Sequence, residues 1–336
     1  MITCPLCKKK DTHSHYLDAR DFLVSGDTFT VTQCANCTLL ITNPKPGPGE
    51  GELEKYYKSS EYVSHTDARR NLKEVLYALV KRLMMRRKLK WISNHLHLKE
   101  AKHLHLNEAK QEKDEIPSQP RQHSIKPAQT LLDYGCGTGE FVLHAAKNGY
   151  TAAGYEPDHN AGEMAHTKGA RVFSSWEDLE AHAGSFDVIT LWHVLEHIPN
   201  PHEVLQKLQD KLRKGGLMVV AVPMANSYDA QHYKEAWAAW DLPRHLYHFT
   251  PETLHRMLKD TDLQHVATHP MPFDAWYVAL LSEQHKYQLA HPGQKRAGKI
   301  TPGQLLKAAR TATISNYRAR KGKSPWSSQA FVWKKA

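Results

Sequence analysis

The chain has 336 residues, of which 40% are hydrophobic and 24% are charged, and its formal net charge is +10. This length predicts about two domains, with enough apolar material for a full α/β core. No apolar run reaches the ~20 residues that a transmembrane helix needs, and the first residues lack the apolar centre of a signal peptide. We therefore exclude a membrane-spanning class and expect a cytoplasmic protein.

The positive charge is concentrated at one end of the sequence. The segment from Gln284 to Ala336 has twelve basic residues and no acidic ones, so +10 − 12 leaves −2 for everything before it. A basic surface can bind nucleic acid. Because the charge lies only in the C-terminal segment, two roles are open for its arginines besides binding nucleic acid. Arg310, Arg318 and Arg320 either receive an anionic substrate group or only solvate an exposed helix.

Four cysteines near the N-terminus form two C-x-x-C pairs. These are Cys4 with Cys7, and Cys34 with Cys37. Four thiolates suit a closed, structural zinc site, and neither pair has the strand-to-helix setting of a redox motif. We therefore predict a zinc ribbon over residues 1–46, with a strand at 29–32 and its hairpin partner at 38–42. The bound zinc would contribute folding energy that so short a segment lacks.

The next two segments differ sharply in composition. Residues 47–98 are predicted to form a linker and a helical cap, because Pro and Gly residues are followed by a helical apolar pattern from Asp67 to about Leu98. Residues 99–127 are rich in His and Lys and contain three prolines. We predict a polar flexible insertion there.

A strand, a glycine-rich turn and an amphipathic helix follow one another between residues 131 and 146. The segment reads Leu-Leu-Asp-Tyr-Gly-Cys-Gly-Thr-Gly-Glu-Phe over 131–141. Glycines in such a turn let a ligand approach the backbone. The dinucleotide pattern G-x-G-x-x-G is not completed, since Glu140 follows Gly139 directly.

The form D-x-G-C-G-T-G resembles motif I of class I S-adenosylmethionine (SAM) dependent methyltransferases. The resemblance implies that Asp133 orients the turn and the methionine ammonium of SAM. It also implies that the turn makes room for the methionine and sulfonium groups. The turn residues expected to bind the cofactor are Tyr134, Gly135, Cys136, Gly137 and Gly139.

A second cofactor contact is expected at the end of the next strand, residues 151–156. Glu156 lies about twenty residues after the glycine turn, where an acid accepts hydrogen bonds from ribose hydroxyls. Pro157 follows it. After a third strand predicted at 170–174, the resemblance places adenine contacts near Ser175 and Trp176.

The segment Trp192-His-Val-Leu-Glu-His197 follows the fourth predicted strand, residues 186–191. It resembles the corresponding segment of small-molecule methyltransferases of the ubiquinone, menaquinone and deoxysugar groups. The resemblance places Trp192 beside the cofactor and His193 among the catalytic residues. We expect His197 to be a supporting or helix-start residue. A fifth, buried strand is predicted at 217–222.

The catalytic residues are expected between residues 223 and 249, where aromatic and titratable side chains cluster. The Arg-His-Leu-Tyr-His-Phe run resembles a segment of deoxysugar C-methyltransferases. The resemblance nominates His245 and His248, but Arg244 stands where those enzymes carry an acid. A packed aromatic loop whose histidines only satisfy backbone groups is the open alternative.

The remaining residues are predicted to finish the sheet. We expect strands at 263–269 and 329–333, with basic helices at 272–287 and 302–319 between them. The predicted fold is therefore an α/β, Rossmann-like, seven-stranded class I methyltransferase sheet with helices on both faces. It would occupy residues 128–336, with a basic helical insertion at about 271–326, after the N-terminal zinc ribbon and helical cap.

The predicted function is methyl transfer from SAM to an oxygen or carbon acceptor of a small molecule. Two alternatives stay open. One is an RNA methyltransferase that binds through the zinc ribbon and the basic helices, and the other is a non-catalytic SAM-binding scaffold. The sequence leaves open the substrate, including whether it is anionic, and the oligomeric state.

Overall fold

The computed structural model describes residues 3–10, 12–44, 56, 80–96, 128–292 and 300–336. The chain divides into two compact units. The first comprises Met1–Arg70, Leu191–Gln209 and Val220–Val332, and the second comprises Asn71–Thr190, Asp210–Val219 and Trp333–Ala336. The predicted insertion at 99–127 and most of the predicted linker lie outside the described residues, and the predicted domain boundaries stay predictions.

Strands and helices are numbered here in chain order over the described residues. The strands are β1 His13–Arg20, β2 Thr28–Cys34, β3 Leu40–Asn43, β4 Thr130–Tyr134, β5 Thr151–Tyr155, β6 Val172–Phe173, β7 Phe186–Trp192, β8 Leu212–Pro223, β9 Tyr247–His248, β10 Leu263–Pro270 and β11 Ser328–Lys335. The helices are α1 80–96, α2 Glu140–Lys147, α3 His159–Thr167, α4 Trp176–Ala181, α5 Pro201–Lys211, α6 Tyr228–Tyr233, α7 Pro251–Met257, α8 Pro272–Ala290 and α9 Pro302–Arg320.

Seven strands form one sheet in the order β10-β11-β8-β7-β4-β5-β6. Strand β4 pairs in parallel with both β5 and β7, and β5 pairs in parallel with β6. The inner strands are continuous apolar runs, because a parallel sheet is covered on both faces. Leu131, Leu132, Val188 and Ile189 are all fully buried. The predicted Rossmann-like fold is confirmed.

The bounds of several elements differ from the predicted ones. Strand β6 has two residues instead of five, whereas β8 begins at Leu212, five residues before the predicted start. The long predicted helix that begins at Asp67 is described only over 80–96, all of which is helical. Boundaries shift because hydrogen bonding to neighbouring strands, and not the apolar pattern alone, decides where a strand ends.

The N-terminal residues belong to a second sheet with the order β1-β2-β3-β9. Strands β2 and β3 are the predicted hairpin partners. Strands β1 and β9 were not predicted. Strand β9 pairs with β3 through Leu40 opposite His248 and Ile41 opposite Tyr247, so a segment from the C-terminal half completes the N-terminal sheet.

The first unit has an aromatic and alanine-rich core. Trp237 and Trp240 meet edge to face with ring centroids 5.0 Å apart, and both are buried. Ala279 of α8 and Ala312 of α9 belong to the same buried cluster. Among the described residues, no helix combines the length and the apolar character that crossing a membrane requires.

Candidate functional site

The glycine turn after β4 has a backbone that only glycine adopts without strain. Gly135, Gly137 and Gly139 have φ values of +74°, +52° and +76°. A Cβ at Gly139 would lie 2.8 Å from the Cβ of Ala165, so the turn packs tightly against α3 there. A Cβ at Gly137 would meet nothing within 4 Å. The turn is therefore open at Gly137.

Glu156 follows β5 and is bonded to this turn. One carboxylate oxygen, Oε2, accepts the Gly137 N–H at 2.8 Å, and Oε1 accepts the Asp158 N–H at 3.0 Å. Burial, only partly offset by these bonds, raises the pKa of Glu156. Each oxygen has a second lone pair, so the partly exposed carboxylate can still accept bonds from hydroxyl groups.

Asp133 is bonded within the sheet. Its side chain is buried, and Oδ1 accepts the hydroxyl of Thr190 on the adjacent strand β7 at 2.6 Å. Burial raises the pKa of Asp133 to about 7, although the Thr190 bond lowers it. The predicted contact between Asp133 and the methionine ammonium stays a prediction.

The other side chains of the turn point into neighbouring structure. Cys136 occupies the space over Gly154 of β5, where any side chain at position 154 would collide with its sulfur. Tyr134 stacks on Tyr155 with ring centroids 4.5 Å apart, and Trp176 meets both rings edge-on. The sulfur of Cys136 thus packs against β5, and its predicted contact with the cofactor stays a prediction.

Three further predicted cofactor residues lie at element ends. Pro157 is exposed directly after Glu156, and Trp192 is the partly exposed last residue of β7. Ser175 is the N-cap of α4, where its hydroxyl accepts the Asp178 N–H. Their contacts with a cofactor stay predictions.

His193 lies between two carboxylates in the first unit. Its Nε2 is 3.1 Å from Asp274 Oδ2, and its Nδ1 is 3.7 Å from Glu196 Oε1. Burial alone would lower the pKa of His193, but the two carboxylates outweigh burial and raise it to about 9. The two carboxylates therefore favour the protonated form of the imidazole. The positive φ of 57° fixes this unusual placement.

His245 lies in a buried cluster with Glu196, His197 and Asp241. Its Nδ1 donates to the carbonyl oxygen of Ala239 at 2.9 Å, because a carbonyl can only accept. Its Nε2 is 3.8 Å from Asp241 Oδ2 and 4.0 Å from Glu196 Oε1. The histidine that the sequence nominated therefore lies near two carboxylates, Asp241 of its own segment and Glu196 of the segment after β7.

Arg244 takes the place of the acid found in the deoxysugar enzymes. The guanidinium is buried and forms ion pairs with Asp241 at 2.7 Å and with Asp21 at 3.1 Å. It also donates to the carbonyl oxygen of Tyr56. Arg244 is therefore a structural link between the N-terminal and C-terminal segments of the first unit.

His248, the third predicted catalytic histidine, is buried in β9. Its Nε2 lies 3.0 Å from the Thr42 hydroxyl, and its ring packs edge-on against Trp240. Burial and the neighbouring His245 hold the pKa of His248 well below its usual range. This environment suits a packed, neutral histidine better than one that exchanges protons.

The four cysteine sulfurs of the N-terminal sheet converge. Sγ of Cys4 lies 3.4 Å from Sγ of Cys37, Sγ of Cys7 lies 3.6 Å from Sγ of Cys34, and all four lie within 4.8 Å of one another. Sulfurs around a tetrahedral zinc with bonds of about 2.3 Å are about 3.8 Å apart. The arrangement therefore fits the size of a zinc ion.

The two cysteine pairs share one backbone geometry. In the first, the Lys8 N–H donates to the Cys4 carbonyl, and in the second, the Thr38 N–H donates to the Cys34 carbonyl. Lys8 and Thr38 each follow the second cysteine of a pair, and their φ values are +59° and +64°. Two matching knuckles thus present the sulfurs to a common centre.

A protein-family model described as "Methyltransferase domain" matches residues 87–268, which is more than half of the 336 residues. The chain belongs to this methyltransferase domain family. The resemblance to class I methyltransferases drawn from the glycine turn is therefore confirmed.

Individual relatives and solved structures match different shares of the chain. The ubiquinone biosynthesis O-methyltransferase of Escherichia coli K12 is 34% identical over 94 residues, which are 26% of this chain and 39% of the relative. Magnesium protoporphyrin IX methyltransferase from Synechocystis, with bound SAM, has a TM-score of 0.43 and 10% identity over 84% of this chain and 94% of that one. A SAM-dependent methyltransferase from Archaeoglobus fulgidus has a TM-score of 0.40 and 18% identity over 63% and 88%. Since both TM-scores are low, the family assignment rests on the sequence match.

The predicted site residues of the methyltransferase domain form separate groups. The glycine turn, Asp133 and Glu156 lie in the second unit, whereas the histidines and cysteines lie in the first. Sequence reasoning missed Asp274 as the partner of His193 and Glu196 as the carboxylate beside His245. Only the position of Glu196 one residue before His197 could have suggested it.

Proposed function

We propose that this methyltransferase transfers a methyl group from SAM to an oxygen or carbon acceptor of a small molecule. The observation that carries the proposal is the bond between Glu156 and the open glycine turn at Gly137. This bond holds a carboxylate with spare lone pairs at the end of β5, where a parallel sheet of this kind binds the ribose of its ligand.

The residues of the second unit fit SAM by their chemistry. Glu156 would accept bonds from the ribose hydroxyls, and the space at Gly137 would hold the methionine portion. Bound SAM supplies an electrophilic methyl group on a sulfonium. The chain itself orients that group toward an acceptor, and orientation alone accounts for a large part of such a rate enhancement.

The histidines of the first unit are proposed to serve the acceptor. His193 is held as a cation by Asp274 and Glu196, so it would stabilise negative charge on the acceptor instead of removing a proton. The Nδ1 of His245 donates to the Ala239 carbonyl oxygen, so Nε2 is the atom that would accept a proton from the acceptor. We therefore propose His245, and not His193, as the general base. We propose that His248 only supports His245.

The four cysteines are proposed to bind one Zn²⁺ with a structural role. Cys4, Cys7, Cys34 and Cys37 would complete a tetrahedral site, which leaves no open position for a substrate. The zinc would hold together a sheet that also contains β9, and β9 immediately follows the segment with His245.

The basic C-terminal helix α9 supports a finer proposal about the substrate. Arg310 and Arg320 are exposed, and the guanidinium of Arg318 lies 5.2 Å from the ring centroid of Tyr228. Exposed arginines could pair with an anionic group of the acceptor. An anionic acceptor is therefore the first class to screen.

The test is isothermal titration of SAM and of its demethylated product into the full chain, after absorbance has established that no nucleic acid is bound. Saturable binding of both supports the proposal, and a screen of small anionic acceptors for methyl transfer follows. Absence of binding by well-folded protein would overturn it. RNA that copurifies with the protein, and whose affinity falls steeply as salt is raised, would favour an RNA substrate instead.

A further inference from the structure

We infer that Glu196, His197 and His245 form a second metal site that takes a divalent cation through nitrogen and oxygen ligands. This site differs from the cysteine site in its ligands and in its chemistry. Two imidazoles and a carboxylate suit Zn²⁺, Mn²⁺ or Fe²⁺, whereas four thiolates favour zinc or iron and disfavour Mn²⁺.

The donor atoms of the cluster converge on one point. One ligand atom each from Glu196, His197 and His245 lies within 4.8 Å of the other two. The Nε2 of His245 is 4.0 Å from Glu196 Oε1 and 3.8 Å from Asp241 Oδ2. These separations are too long for hydrogen bonds. They match ligands around an ion, since two bonds of about 2.1 Å allow up to about 4.2 Å between ligand atoms.

Both imidazoles are oriented as metal-binding histidines are. The Nδ1 of His245 donates to the carbonyl oxygen of Ala239 at 2.9 Å, and the Nδ1 of His197 donates to the carbonyl oxygen of Arg244 at 3.1 Å. A backbone carbonyl on one ring nitrogen fixes the tautomer and leaves the lone pair on the other. In the neutral rings, Nε2 is therefore the ligand atom in both cases.

Glu196 is the independent observation that points to a cation. It is 1% exposed, and within the described part of the chain neither carboxylate oxygen accepts a hydrogen bond. A buried carboxylate without such bonds is costly unless a positive charge compensates it. His193 lies 3.7 Å from Oε1 and compensates from one side only. An ion among Glu196, His197 and His245 would compensate from the other.

Three protein ligands leave at least two positions of a five- or six-coordinate ion for the acceptor. A hydroxyl or enol oxygen bound to a divalent cation would lose its proton to solvent water more readily, which makes it a better nucleophile. The oxygen–methyl bond would then form as the sulfonium–methyl bond breaks, and the demethylated cofactor would leave as a neutral thioether. The acceptor class would then be one with two neighbouring oxygens that chelate the ion. This part of the inference rests on the proposed function, and His245 would hold the ion instead of the acceptor's proton.

The experiment uses Mn²⁺ as the probe, because manganese prefers nitrogen and oxygen ligands and binds poorly to thiolates. The full chain is stripped of metal, reloaded with one equivalent of Zn²⁺, and titrated with Mn²⁺ while the free ion is followed by electron paramagnetic resonance. We expect one Mn²⁺ per chain. Glu196→Gln and His197→Gln should each weaken Mn²⁺ binding about tenfold or more. The control His202→Gln, on a histidine outside the cluster, should bind like the wild type.

Circular dichroism and melting temperature establish that each variant is folded. Equal Mn²⁺ affinity in the wild type and in both cluster variants would overturn the site, as would the absence of Mn²⁺ binding to folded wild type. No SAM or acceptor is present, so the result does not depend on the proposed function. A protein that binds Mn²⁺ but not SAM would retain this inference and lose the proposed function.

Discussion

At the scale of single residues, Glu156 provides the sharpest test of the cofactor site. Both carboxylate oxygens of Glu156 accept hydrogen bonds from backbone N–H groups. A glutamine at this position would place its NH₂ group against one of these N–H donors, and that bond would be lost. We expect Glu156→Gln to weaken SAM binding roughly 10- to 100-fold, which corresponds to the loss of about 1.5–3 kcal/mol from bonds to a charged group. Isothermal titration measures the change.

The matched control for this variant is Asp158→Asn. Asp158 is the N-cap of α3, and its side chain accepts the Ala161 N–H at 2.8 Å. Asparagine caps a helix about as well as aspartate, and the backbone N–H that bonds to Glu156 is unchanged. SAM affinity should therefore stay within about twofold of the wild type. Equal losses in both variants would contradict the assigned role of Glu156.

Asp133 makes a prediction about pH. The unfolded residue has the ordinary pKa of 3.8, whereas burial raises the pKa in the folded protein to about 7. Between these values the folded state binds more protons than the unfolded state, so the contribution of Asp133 to the free energy of unfolding falls as pH rises. Above about pH 7 that contribution should be constant.

Urea unfolding from pH 4 to pH 8 tests this in the wild type and in Asp133→Asn. The asparagine keeps an oxygen for the Thr190 hydroxyl but has no proton to lose. The difference in stability between the two proteins should therefore change in favour of the variant as pH rises toward 7. A difference that is independent of pH would show that Asp133 is ionised throughout. The difference also cancels contributions from other titrating groups.

At the scale of elements, the antiparallel pairing of β3 with β9 connects the N-terminal strands to the candidate catalytic segment. The hydroxyl of Thr42, on β3, donates to the His245 carbonyl at 2.5 Å and lies 3.0 Å from His248 Nε2. Thr42→Val would leave that carbonyl without this bond. We expect a stability loss of about 1–3 kcal/mol and a fall in kcat with little change in SAM affinity.

Thr32→Val is the control for this element. Thr32 is also buried, on β2, and its hydroxyl bonds to the Ile41 carbonyl within the same sheet. Stability should fall, but kcat measured well below the melting temperature should not. If both variants lost kcat equally, the effect would come from general destabilisation, and the positioning role of Thr42 would be wrong.

The sequence predicted elements well where local pattern decides them. The strand, glycine turn and helix around β4 are dictated by an apolar run followed by residues that require positive φ. Strand β9 has only two residues, and it forms because β3 supplies hydrogen bonds from about two hundred positions away. No local pattern encodes such a pairing. The approach of Glu196 to His245 is hidden for the same reason, since different loops bring them together.

At the scale of the whole molecule, the four cysteines lie in one compact unit and Gly137 and Glu156 lie in the other, so mutations at the two places should act separately. Cys7→Ser should remove about one equivalent of zinc and lower the melting temperature, because a structural zinc contributes folding energy. SAM affinity should change little, since Gly137 and Glu156 lie in the other unit. Elemental analysis, calorimetry and titration measure the three quantities.

Cys136→Ser serves as the control on cysteine content. Cys136 lies in the glycine turn and is the one cysteine outside the four-sulfur cluster. The zinc content of Cys136→Ser should equal that of the wild type. Loss of zinc from Cys136→Ser, or full zinc content in Cys7→Ser, would contradict the assignment of the metal ligands.

The N-terminal sheet combines strands that are synthesised early with strand β9, which is synthesised much later, and this affects how the chain folds during translation. All four cysteines have been synthesised by residue 37, but Arg244 and β9 follow only after about two hundred further residues. A contact across so long a separation forms slowly, because a large loop must close first. If the four cysteines bind zinc as proposed, the growing chain on the ribosome would carry a zinc-bound hairpin with an unpaired edge at β3. That edge is a template for pairing with other chains until residues 247–248 arrive, so zinc supply during translation should affect yield more than zinc added afterwards.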